Sequence, residues 1–193
     1  MPIRMPVLAG PGLVGLDEVK QHATVAFAAA NPIDRRIFDV PDARYGIVTT
    51  GKAHLDLMEA LRLLGIDREE ARRIGIDVYK VGMVWPLEHD GALEFVKNKR
   101  EVLVIEEKRG IIESQFKEYF YDYPGKKPKR MVGKADESGA RLVPWIGELS
   151  PIQLAQIVAR RLDAEFTGLD MTARARKLLR GGSNIIKFDG ANR

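Results

Sequence analysis

From residue 45 onward, the apolar positions switch repeatedly between a strand pattern and a helix pattern. Tyr45-Gly46-Ile47-Val48-Thr49-Thr50 is β-branched and ends at Gly51; residues 53–64 then set Leu57, Leu61 and Leu64 on one helical stripe that stops at Gly65. Asp77-Val78-Tyr79-Lys80-Val81 ends at Gly82 and leads through Trp85-Pro86 to a second helix over residues 90–98. Residues 101–107 hold Val102, Leu103, Val104 and Ile105 without alternation, which predicts a strand covered on both faces, followed by a helix over 112–121. Tyr123-Pro124-Gly125 breaks the pattern, and residues 130–134 make a weak last strand. Ser150-Pro151 opens a helix with a side-chain oxygen at the cap and proline in the first turn, and Leu154, Ala155, Val158 and Leu162 are its buried stripe. Strands and helices alternating at this spacing imply right-handed crossovers and a parallel sheet between two helix layers, an α/β fold.

Both ends depart from that rhythm. Residues 16–30 place Val19, Ala23, Ala26, Phe27 and Ala30 at helical spacing up to Asn31-Pro32, which predicts a helix lying across the main domain. Residues 36–40 read as a short strand whose arginine and following Pro41 suit a sheet edge. After Asp163 the composition shifts: residues 171–180 read as a basic helix, and Gly181-Gly182-Ser183 starts a linker-like stretch. The expected division is an extension with one helix over 1–35, an α/β domain over 36–163, and a basic segment or linker over 164–193.

Composition narrows the chemistry. With 45% hydrophobic and 30% charged residues in 193, the chain folds as one domain instead of staying disordered. No apolar run approaches a membrane span and no export signal is evident, so a cytoplasmic protein with no membrane partner is expected. The absence of cysteine excludes disulfides, thiolate chemistry and a cluster held by this chain alone. His22, His54 and His89 are too dispersed for metal-ligand spacing, and His54 and His89, near helix starts, suit capping or surface roles. Of the net charge of +4, residues 172–193 carry +5 from six basic residues and one acid, leaving −1 for the rest. A main body of that charge is not a nucleic-acid surface.

Gly46-Ile47-Val48-Thr49-Thr50-Gly51-Lys52-Ala53 imitates a phosphate-binding P-loop, but Ala53 replaces the hydroxyl that holds magnesium, and the strand lies inside the would-be loop. A milder reading keeps Thr49, Thr50, Gly51 and Lys52 as a strand-to-helix turn with free N–H groups and a cation for an anion; the alternative is an ordinary turn capped by threonine. Glu106, Glu107, Lys108 and Arg109 follow the apolar strand at its carboxyl end, where ligand and partner sites of parallel sheets gather. Thr49 to Lys52, the end of the next strand at Gly82, and Glu107 to Arg109 are therefore expected side by side, as an anion or interface site. Trp85 and Trp145 sit in connections, where large aromatics either anchor interfaces or fill core gaps.

Several motifs occur together in one order: Tyr45 to Lys52, Leu64-Gly65-Ile66-Asp67, Val78-Tyr79-Lys80-Val81-Gly82-Met83-Val84-Trp85-Pro86-Leu87, Val104-Ile105-Glu106-Glu107-Lys108-Arg109, Val132-Gly133-Lys134 and Gly147-Glu148-Leu149-Ser150-Pro151. Over about residues 14–163 they resemble the middle region of indolepyruvate ferredoxin oxidoreductases, thiamine-diphosphate-dependent 2-oxoacid oxidoreductases. That region is similar to the transketolase C-terminal domain. The resemblance implies a three-layer α/β/α fold with a five-stranded mixed sheet, mostly parallel, whose antiparallel edge strand is residues 36–40. It implies a parent enzyme that decarboxylates an aryl 2-oxoacid to the acyl-CoA and reduces ferredoxin, using thiamine diphosphate, magnesium, iron–sulfur clusters and CoA. This chain has neither the Gly-Asp-Gly with downstream Asn of the diphosphate site nor a cysteine for a cluster. The family's catalytic and cofactor residues therefore fall on none of its positions.

The resemblance thus implies a non-catalytic domain, inactive in isolation, that supports thiamine-binding domains and subunit contacts, with a homodimer as one form. Two rivals stand beside it: a binder of a phosphorylated small molecule such as CoA at residues 49–52, and a protein-interaction module using the basic end.

Overall fold

The structure, a computed structural model, describes residues 19–31 and 33–181. Its elements are α1 (Gln21–Ala30), β1 (Arg35–Arg36), β2 (Tyr45–Thr50), α2 (Gly51–Leu63), α3 (Arg68–Ile74), β3 (Ile76–Val81), α4 (His89–Val96), β4 (Glu101–Ile105), α5 (Ile111–Tyr121), β5 (Arg130–Val132), α6 (Pro151–Glu165) and α7 (Met171–Gly181). The sheet order is β1-β3-β2-β4-β5. Strands β3, β2, β4 and β5 run parallel, and β1 pairs antiparallel with β3, Arg35 opposite Lys80 and Arg36 opposite Tyr79. This is the five-stranded mixed sheet with an antiparallel edge that the resemblance implies.

The pleat sorts side chains into two cores. Tyr45, Ile47, Val78, Leu103 and Ile105 face α2, α3, α6 and α7, meeting Leu57, Leu61, Ala71, Leu154, Val158 and Met171. Val48, Tyr79, Val81, Val102 and Val104 face α4 and α5, meeting Phe95, Val96, Ile112 and Phe116. The unbroken apolar run of β4 follows from this, since both of its faces are dry. Glu101, at the start of β4, is also fully buried, where it accepts from Arg161 Nε at 2.8 Å and Nη2 at 2.5 Å and from Arg130 Nε at 2.8 Å. This ties the sheet's amino edge to α6.

The cap of α6 is as expected: Ser150 accepts from Gln153 N, Gln153 returns the bond, and Pro151 fills the first turn. Other elements differ from expectation. The edge strand is only Arg35–Arg36, because Asp39 takes a left-handed φ of 50° and its amide turns to Asp77 Oδ1 at 3.1 Å. Phe38 and Val40 then enter the core as loop residues. Helix α3 has no counterpart in the apolar pattern; it is set by its ends, with Asp67 accepting from Glu70 N and Gly75 in the left-handed conformation. The expected stripe of α1 is mostly in water: Val19, Ala23, Ala26, Phe27 and Ala30 are exposed and Ala28 is its one buried residue. The part of that predicted helix before residue 19 lies outside the described residues. At the other end, Asp163 caps α7 by accepting from Met171 N at 2.8 Å and Thr172 N at 2.7 Å, and Met171 and Ala175 join the first core. The basic character of α7 is therefore that of a packed helix's outer face; residues 182–193 lie outside the described residues.

Candidate functional site

At the carboxyl edge of the sheet, the chain leaves β2 at Thr50, β3 at Val81, β4 at Ile105 and β5 at Val132, so four connections converge there. Thr50 does not cap α2. Its hydroxyl donates instead to Val81 O on the neighbouring strand at 2.8 Å, and no side chain caps the helix. Gly51 makes the bend at φ 52°, a conformation that favours glycine.

Lys52 reaches three acceptors: Asp56 Oδ2 at 2.7 Å, Glu107 Oε1 at 3.2 Å and Leu149 O at 3.3 Å. These partners, Asp56 first, raise its pKa above the ordinary lysine value. Glu107 Oε1 also accepts from Leu149 N at 3.3 Å, so one lysine and one glutamate fasten the loop before α6 to the start of α2.

The sequence-derived candidates are only partly brought together. Thr50, Gly51, Lys52, Glu107 and Arg109 line one cleft of about 220 Å³ with Ala53, Val84, Glu106 and Ile111. Thr49 is not on it; the residue is fully buried and its hydroxyl has no hydrogen-bond partner. Gly82 faces the opposite way, donating to Asp34 Oδ1 at 2.7 Å with Ile33 packed so closely that a Cβ would fall 2.8 Å from its carbonyl oxygen. Lys108 is exposed, at φ 55°, and is not among the residues that line the cleft. His54 is not the cap or surface group expected: it is buried beneath the first turns of α2, and burial, followed by the charge of Lys80, lowers its pKa. His89 opens α4 with its ring centroid 4.4 Å from that of Tyr119.

A second polar group at this edge links Glu106, which the sequence placed at the strand end, to Glu113 and Lys134, a link the sequence did not show. Glu106, buried, accepts from Ile112 N at 2.8 Å and Glu113 N at 3.0 Å, which caps α5 from outside the helix. Burial pushes its carboxyl above the ordinary value, against the pull of those amides and of Lys134. Glu113 Oε2 accepts from Lys134 N at 2.8 Å and Glu113 Oε1 from Lys117 Nζ at 2.6 Å. Lys134 Nζ donates to Glu106 O and, at 2.9 Å, to Pro144 O; burial lowers its pKa. Gly133 is what lets Glu113 in, since a Cβ there would lie 2.3 Å from Glu113 Oε2. The available signal was Val132-Gly133-Lys134 at a strand end, but nothing local ties it to residues twenty positions earlier.

These side chains offer no site for a metal ion or an iron–sulfur cluster. Among the described residues no group of three His, Asp or Glu could hold a metal ion; Glu106 spends its oxygens on two backbone amides, and Glu113 on Lys134 N and Lys117 Nζ. Without cysteine the chain has no thiolate for a cluster. What the edge does chemically is hold loops: each acid and base in the two groups is occupied by another part of the fold.

Beside the cleft lies a larger hollow of about 780 Å³ between Trp85, Ile111, Ser114, Glu118, Lys134 and Trp145. It adjoins a third, of about 690 Å³, that reaches Arg141 and Ile146 and shares Lys134, Ala135 and Trp145 with it. Neither tryptophan fills the core. Among the described residues no helix is long and apolar enough to cross a membrane.

Comparison with known proteins agrees with this description. Two solved structures align with most of this chain. The 2-oxoglutarate:ferredoxin oxidoreductase from Magnetococcus marinus, solved with 2-oxoglutarate, coenzyme A and succinyl-CoA bound, aligns with a TM-score of 0.51 and 14% identity over 81% of this chain and 24% of that one. A split-gene transketolase, an inactive beta4 tetramer, aligns with a TM-score of 0.40 and 18% identity over 76% of this chain and 42% of that one. The indolepyruvate oxidoreductase subunit IorA of Pyrococcus abyssi is 27% identical over 124 residues, and that of Thermococcus kodakarensis 26% identical over the same length. In each case the match takes in 64% of this chain but 17% of the relative, so the chain spans about a sixth of the length of these curated proteins. A family model described as the indolepyruvate oxidoreductase domain matches residues 35–183, from β1 through the end of α7, and the chain belongs to that family.

Proposed function

We propose that this chain is a non-catalytic structural domain of an indolepyruvate-type 2-oxoacid:ferredoxin oxidoreductase, which supports the thiamine-binding domains and the subunit contacts of the larger enzyme. The parent decarboxylates an aryl 2-oxoacid in the cytoplasm, yields the acyl-CoA and reduces ferredoxin; its thiamine diphosphate, magnesium, iron–sulfur clusters and CoA sit on other polypeptide. The observation that carries this reading is the occupied state of the sheet's carboxyl edge. Lys52 with Glu107, Glu106 with α5, and Glu113 with Lys134 all serve to fix loops, which is what a scaffold needs and a reaction centre does not. The test is titration calorimetry of the isolated chain with thiamine diphosphate and magnesium. No binding heat is expected, and micromolar affinity would refute the reading.

A second reading has one observation in its favour. Helix α2 starts without a side-chain cap beside Lys52 and Arg109, so its first N–H groups could meet a phosphate of CoA. The cleft there, about 220 Å³, has room for a phosphate group but not for the whole cofactor. Binding of CoA that disappears in Lys52→Ala would favour this alternative.

A further inference from the structure

We draw no further inference here: the strongest candidate, the apolar surface of α1 that Ala23, Phe27 and Ala30 hold in water ahead of the matched family domain, carries nothing because nothing in the structure shows what covers it.

Discussion

Gly133 and Glu113 test whether the carboxyl edge is held as described. In Gly133→Ala the new Cβ would sit 2.3 Å from Glu113 Oε2, 2.5 Å from its Cδ and 3.0 Å from Oε1. Ordinary contact needs roughly 1 Å more, so the carboxylate must swing away. It cannot do so and still accept from Lys134 N at 2.8 Å. That bond joins a charged acceptor to a buried donor, and its loss costs about 1.5–3 kcal/mol. Residual overpacking adds about 1–2 kcal/mol, and the stiffer unfolded chain of an alanine returns about 0.5 kcal/mol. Gly133 has no positive φ, so backbone strain does not enter. The net loss is about 2–4 kcal/mol, read from urea unfolding or as a fall in Tm of roughly 5–15 °C for a domain of this size. The decisive measurement repeats the change in a Glu113→Ala background. There the methyl group meets no carboxylate, so the same substitution should cost under about 0.5 kcal/mol, giving a coupling of about 2 kcal/mol or more. Equal costs in the two backgrounds would show that Glu113 does not occupy the space above Gly133, and the account of this edge would fail.

Two further outcomes follow from the amino edge. Lys99 is buried with its ammonium 4.8 Å from the centroid of the Phe95 ring; burial lowers its pKa to about 8, while Asp77 opposes the shift. Because the unfolded chain holds that proton up to the ordinary lysine value, stability rises with pH from about 8 to about 10.5. Lys99→Met removes this rise and gains about 1–3 kcal/mol at pH 7, measured by denaturant unfolding at pH 7 and 9.5; a variant less stable than the wild type at pH 7 would contradict the buried-charge argument. Glu101→Ala leaves Arg161 and Arg130 without their shared acceptor and should cost about 3–5 kcal/mol in thermal unfolding, whereas a loss below 1 kcal/mol would mean that water already satisfies those arginines.

What the sequence disclosed and what it hid divide along range. Local signals were legible: the dry run of β4, the Ser150-Pro151 start of α6, and the Gly65 stop after α2, where φ is 71°. Helix α3 was missed because five of its seven residues are charged and only Ala71 and Ile74 are buried, too few to show a period; Asp67, Glu70 and Gly75 were the signal to weigh. The edge strand was drawn too long because residues 36–40 do suit a strand, and only the side chain of Asp77, 38 positions away, explains why Asp39 turns. At the site, grouping the strand ends placed Lys52 beside Glu107 correctly. It could not foresee that the Thr50 hydroxyl would donate to Val81 O instead of accepting from the first amides of its own helix, since a threonine at a strand end suits either role. Gly82 was grouped with that cleft by strand register, but its amide is taken by Asp34 on the other side.

The same hydrogen bonds bear on whether the turn at residues 50–52 can serve as an anion site. The open end of α2 carries roughly half a positive charge, and Lys52 adds one more. Asp56 and Glu107 both lie within hydrogen-bond reach of that ammonium, so the local field is already balanced before any ligand arrives. A phosphate entering there must displace Glu107, which also receives Leu149 N, and so must free the loop that leads into α6. Arg109, like Lys108, has no intrachain ion pair among the described residues, and it lines both this cleft and the larger hollow beside Trp85 and Ile111. On this balance the turn is a joint that fastens the loop before α6, and the buried groups beneath it supply the stiffness of the edge.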